Sequence, residues 1–115
     1  MSRHETQVSL QHMLDHARSA VRIAQGKDRR DLDRDEVLRL ALTRAVEIIG
    51  EAASRVPPEY RQQHPHVPWP QIISTRHRLI HAYDKGDLDV LWSILADDLP
   101  ALVGQVAALL AMMPR

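Results

Sequence analysis

The stretch Arg76-His77-Arg78-Leu79-Ile80-His81-Ala82-Tyr83 gathers fixed cations, proton-transfer groups and a phenol into one short segment. Arginine stays charged at any working pH and can grip phosphate oxygens with two parallel hydrogen bonds. Histidine titrates near neutrality and can give or take a proton. Together these groups suffice to cut RNA without a metal. The phosphodiester carries its own nucleophile, the ribose 2′-hydroxyl, so the protein needs only to shuttle protons and stabilise charge.

Helical geometry decides whether the groups can meet. At about 100° per residue, Arg76 and Tyr83 fall within roughly 20° of each other, one above the other. His81 lies about 140° away from Arg76 on an ideal helix. One straight helix therefore does not aim both at a single phosphate. A bend near His81 would solve this. So would a two-fold dimer, in which Arg76 of one subunit approaches His81 of the other across a self-complementary cleft.

The rest of the chain reads as the helices that hold this segment. With 115 residues it suits one domain, spanning 1–115. It has no Phe and only 3% aromatics, so the core must come from Leu, Val, Ile, Ala and Met, a mix that favours helices. Leu10, Met13, Leu14, Ala17, Ala20, Val21 and Ala24 recur at helical steps and predict a first helix, with Gly26 as its stop. The run from Lys27 to Asp35 alternates in sign and reads as a solvated linker. A second helix is expected from near Asp35 to Val56-Pro57-Pro58, with Leu38, Ala41, Leu42, Ala45, Ile48, Ile49, Ala52 and Ala53 on its apolar face.

After a short turn of helix around residues 59–63, His64-Pro65-His66-Val67-Pro68-Trp69-Pro70 makes a stiff loop anchored by Trp69. A third helix from Pro70 to Tyr83 would carry the reactive segment. A turn at Asp84-Lys85-Gly86-Asp87 leads to a last helix, which Pro100 kinks or breaks before it continues from Ala101 to Met113. The expected fold is all-α, an up-down bundle of four main helices with a broken last helix.

Composition narrows the function classes. Cysteine is absent, which excludes disulfides and thiol catalysis. Net charge is zero, so a contact with nucleic acid must be a local patch and not a basic coat. No signal-peptide pattern opens the chain, and the longest apolar run, Val106 to Met113, is short for a bilayer, so a cytoplasmic protein with no membrane contact is expected. His12 and His16 stand one helical turn apart, a metal-ligand spacing, but without a third ligand they read as an exposed face; no metal and no cofactor are expected. Trp69 and Trp92 read as core anchors, and Glu47 and Glu51 as partners for arginines such as Arg44.

Arg76-x4-His81-x-Tyr83 is similar to the signature of the HepT-type toxins, a branch of the HEPN superfamily of helical ribonucleases. The flanks carry the likeness further. Gly50-Glu51-Ala52-Ala53 resembles the end of that family's second helix. Pro65-His66-Val67-Pro68-Trp69 resembles its Pro-x-x-Pro-Trp approach to the motif helix. Leu91-Trp92-Ser93-Ile94 with Asp98-Leu99-Pro100 resembles its last helix. The sequence departs from the pattern beside the motif Arg. His77 stands where a small polar residue is usual, and Ser74-Thr75 replace a frequent Gly.

The resemblance implies a homodimeric, metal-independent RNase toxin. Its partner would be a minimal nucleotidyltransferase (MNT-type) antitoxin. Arg76 and His81 would be catalytic, with His77 able to assist. Tyr83 would be the phenol to which the antitoxin transfers AMP. Two other readings remain compatible with the residues. One is a non-catalytic partner or substrate subunit of a nucleotidyltransferase, and the other a plain helical dimerisation module.

Overall fold

The computed structural model describes residues 3–75 and 85–114. Among the described residues there is no strand, so the all-α expectation is met. Helix α1, Arg3–Ala24, buries Leu10, Met13, Leu14, Ala17 and Ala20 along one stripe. It stops at Gly26, whose φ of +77° lies in the left-handed region that glycine adopts without strain.

The charged run that follows is not the expected linker. Residues Arg29–Arg34 form a short helix, α2. Asp28 caps it: its carboxylate accepts from the Arg30 and Asp31 amides, and the Asp31 carboxylate accepts from the Asp28 amide at 2.7 Å. A hydrogen bond from Arg30 holds the Asp28 carboxyl below its usual range. Leu32, read as part of a solvated stretch, is completely buried. Charge alternation concealed one apolar residue that points inward while its neighbours face water.

Asp35 ends α2 and starts the next helix. Its amide donates to the Asp31 carbonyl, and its carboxylate accepts from the Leu38 amide. Helix α3, Glu36–Arg55, then buries Leu38, Leu42, Ala45, Val46, Ile49, Ala52 and Ala53. Ala41 faces solvent and Ile48 is half-buried, so the apolar face is narrower than the sequence implied. Arg44 reaches Glu47 at 3.7 Å and Glu51 at 3.5 Å, the pairing expected for those acids. Pro57 and Pro58 terminate α3 and open helix α4, Pro58–Gln63.

Helix α5 comprises Trp69–Ile73. The remainder of the expected third helix, from residue 76 onward, lies outside the described residues, as does Asp84 of the expected turn. Helix α6, Lys85–Ser93, begins slightly before the predicted start at Asp87. It runs directly into a π-helical turn, Ile94–Asp98, and then helix α7, Leu99–Met112. The expected break at Pro100 is therefore a change of winding. Proline has no amide to donate, and its ring would strike the carbonyl four residues back. Widening the preceding turn relieves this, and the Leu99 amide donates to the Ile94 carbonyl, five residues back.

Helix α1 packs chiefly against α3 and α7, while α2 bridges α3 and α6. Arg29 ties α2 to α6 through Asp89 at 2.7 Å and also reaches Asp33. Winding through the π turn makes one stretch, Asp87–Met112, long and apolar enough by length and composition to cross a bilayer, with a mean hydropathy of 1.6 over its most apolar 18 residues. That exceeds what the run Val106 to Met113 suggested. Core packing accounts for much of this apolarity: Leu91, Ile94, Leu95, Leu99, Leu102, Val106 and Leu109 are buried.

Leu32→Ala is expected to cost about 2–5 kcal/mol, the range for truncating a buried leucine. It should appear as a lower urea midpoint with unchanged slope. A true linker residue would leave the midpoint where it was.

Candidate functional site

Arg76, His77, His81 and Tyr83 lie outside the described residues. What is described is the ground on which that segment starts. The approach loop is fixed at several points. The Trp69 indole N–H donates to the His64 carbonyl at 2.9 Å, and the Gln105 side chain donates to the His66 carbonyl at 3.3 Å. Val67 and Trp69 are buried, so Trp69 is the anchor that the sequence suggested. Pro68 and Pro70 stiffen the chain, and the Ile72 amide closes the first turn of α5 on the Pro68 carbonyl.

The residue before Arg76 is held most tightly. Thr75 is buried, and its hydroxyl donates to the Ile72 carbonyl at 2.7 Å. Opposite lies Gly50 of α3. A Cβ on Gly50 would fall 2.8 Å from the Thr75 hydroxyl oxygen and 2.9 Å from the Ile72 carbonyl oxygen. Real Cβ atoms essentially never approach so closely, so only glycine allows α3 to lie this near α5. A glycine inside a helix is unfavourable by roughly 0.5–1 kcal/mol relative to alanine. Its presence on a buried helix face is the signal, visible in the sequence, that another backbone comes close.

Beside Thr75 a cavity of about 340 Å³ opens between α3, α5, the π turn and α7. Val46, Ile49, Ile72, Leu99 and Leu102 give it apolar walls. Gln71, Thr75, Ser93 and Asp98 supply the polar groups. The Ser93 hydroxyl donates to the Asp97 carboxylate at 3.3 Å, which leaves Asp98 as the carboxylate that lines the space. The sequence reading did not anticipate Ser93 and Asp98 as neighbours of the motif's starting point; the π turn brings them there.

Among the described residues of this lining there is no imidazole and no cation. Proton transfer near neutral pH would have to come from groups such as the histidines of the motif. Among the described residues no group of three potential metal ligands occurs. His16 Nδ1 lies 2.9 Å from the His12 carbonyl and donates to it, which turns that ring nitrogen toward the helix backbone.

Comparison with known proteins finds related sequences over most of the chain. The family model described as "Ribonuclease HepT-like" matches residues 13–109. A protein of Thermococcus cleftensis named probable ribonuclease HepT is 41% identical over 71 residues, which span 62% of this chain and 64% of that relative. A protein of Caldanaerobacter subterraneus subsp. tengcongensis, whose name proposes it as an RNase, is 35% identical over 88% of this chain and 90% of its own length. Another so named, from Methanocaldococcus jannaschii, is 31% identical over 92% of this chain and 97% of its own. No solved structure gives a significant match.

Gly50→Ala is expected to lower stability by about 1–3 kcal/mol, the cost of forcing atoms into a filled space. Gly104→Ala is the control, because a Cβ there meets nothing within 4 Å. It should be neutral or stabilise by up to about 1 kcal/mol through helix propensity. Denaturant unfolding of both variants decides this; equal effects would remove the special role of Gly50.

Proposed function

Since the chain belongs to the HepT-like ribonuclease family, we propose that it is a metal-independent endoribonuclease, the toxin of a toxin–antitoxin pair. Membership supports ribonuclease activity. The observation that carries the finer reading is Arg76-x4-His81-x-Tyr83 within the matched span, led in by a loop and a glycine-permitted helix contact that fix Thr75.

In the proposed reaction an imidazole, His81 alone or with His77, takes the proton from the 2′-hydroxyl. The 2′-oxygen bonds to phosphorus. Arg76 balances the extra negative charge of the phosphorane. The P–O5′ bond then breaks, and the 5′-oxygen receives a proton from an imidazolium. The products are a 2′,3′-cyclic phosphate and a 5′-hydroxyl. No oxidant, cofactor or metal enters the balance.

The angular separation that Arg76 and His81 would have on an ideal helix supports a homodimer whose composite cleft draws one group from each subunit. Cytoplasmic RNA is the substrate. An MNT-type nucleotidyltransferase is the antitoxin, and it silences the enzyme by transferring AMP to the Tyr83 phenol. The added phosphate places negative charge and bulk where an RNA phosphate would bind.

His81→Ala is expected to reduce RNA cleavage on the order of 10²–10⁴-fold, the contribution of general acid–base catalysis. Arg76→Ala should fall comparably, and neither variant should arrest growth on induction. Wild-type cleavage should persist in EDTA and leave cyclic phosphate ends. Full cleavage by His81→Ala, or loss of wild-type activity on chelation, would sink the mechanism.

The switch has its own test. Tyr83→Phe should cleave RNA and resist silencing by the nucleotidyltransferase with ATP. Silencing that persists in this variant would replace modification by steric masking.

A further inference from the structure

At one end of the bundle, three rings stand in series along α4 and the loop after it. The Tyr60 and His64 ring centroids are 4.4 Å apart with planes tilted by 40°, and His66 stands edge-on to His64 at 6.1 Å. Tyr60 is partly buried against the core, and burial raises its hydroxyl above the usual phenol range, so the ring stays neutral. His64 is half-buried and its backbone is pinned: its amide donates to the Arg61 carbonyl, and its own carbonyl receives the Trp69 indole N–H. The ring wall is therefore built in advance by the same anchor that fixes the approach loop.

Tyr60 and His64 border a hollow of about 380 Å³, whose other sides include Arg3 and Thr6 of α1 and Met112 and Met113 at the end of α7. Arg3 is exposed and has no carboxylate within ion-pair distance among the described residues. Met112 is 67% exposed, and its flexible thioether can adapt to a flat ligand. The hollow thus combines two stacked rings, an adaptable apolar flank and a guanidinium with no ion pair among the described residues. Flat π-systems bound to phosphate match all three. None of these residues belongs to the motif.

We propose that this hollow is a nucleotide subsite, in which a nucleobase stacks on the His64–Tyr60 wall and its phosphate pairs with Arg3. The nucleotide can be one unit of a single-stranded RNA or a free mononucleotide. The RNA source rests on the ribonuclease reading; the nucleotide chemistry does not. From His66 the chain runs through Trp69 to Thr75, so the wall and the start of the motif share one segment. An RNA strand bound here would extend along that segment.

The test is binding, which is independent of cleavage. A labelled 2′-O-methyl RNA oligonucleotide lacks the attacking hydroxyl, so its affinity is read by anisotropy without being cut. AMP is titrated separately by calorimetry. His64→Ala should weaken the bound ligand roughly 5- to 150-fold, the loss of one base stack. Arg3→Gln should weaken RNA binding and reduce the slope of log affinity against log salt by roughly 0.7, the release from one phosphate on a single strand. Circular dichroism and unchanged thermal midpoints confirm that both variants fold.

Weakening of RNA alone assigns the subsite to the substrate strand. Weakening of AMP alone assigns it to a free nucleotide, and this result stands even if the wild type cleaves no RNA. Unchanged affinity for both ligands in both folded variants overturns the subsite, whatever the cleavage assay shows.

Discussion

The contact between Gly50 and the Ile72–Thr75 backbone is the constraint on which the site depends. It is an absence of atoms: with no Cβ, α3 can lie against the Ile72 carbonyl and the Thr75 hydroxyl. That hydroxyl turns back to the Ile72 carbonyl, so the same small space holds the helix contact and the last turn before the motif. Burial of Ile72 and Trp69 on one side and Ile49 and Val46 on the other supplies the hydrophobic drive that keeps α5 there. The proposed proton transfer would need its groups placed to within a fraction of an ångström. A rigid start to the segment is one way to achieve this.

Electrostatics plays a local part. With equal numbers of acidic and basic residues, the molecule as a whole has no net field to draw in RNA. Several exposed cations are spoken for: Arg44 reaches Glu47 and Glu51, and Arg30 reaches Asp28. Such pairs add little stability at a solvated surface. They do lower the free positive charge, so the proposed affinity for phosphate would concentrate at a few cations outside such pairs.

Much of the scaffold was legible in the sequence because its long helices repeat their apolar residues many times. Helices α1 and α3 each offer several buried positions at three- and four-residue steps, and Gly26 and the Pro57-Pro58 pair mark their ends plainly. Helix α2 was missed because six residues with one leucine carry no period. Its capping pair, Asp28 and Asp31, was the readable sign. The π turn was not legible beyond its cause, Pro100, because whether a helix breaks or widens there is settled by what packs around it. The proposed catalytic residues Arg76 and His81 were singled out by their spacing and flanks; they lie outside the described residues, within the span of the family match. Ser93 and Asp98 stood in the flanking stretches of the last helix, but their place beside Thr75 was not legible, since it exists only after separate elements meet.

The π turn also divides the labour of the last helix. A wide turn carries one more residue than an α turn, so the stripe after it is swung by roughly 100° from the stripe before it. Helix α6 accordingly meets α2, whereas α7 meets α1. One unbroken rod thus serves two partners that lie in different directions. Residue number between Ser93 and Leu99 consequently matters more than residue type. Many side chains could occupy the exposed positions there, but a single deletion would restore ordinary winding. It would rotate Leu99, Leu102, Val106 and Leu109 together away from α1, uncoupling the two ends of the molecule without altering any core residue.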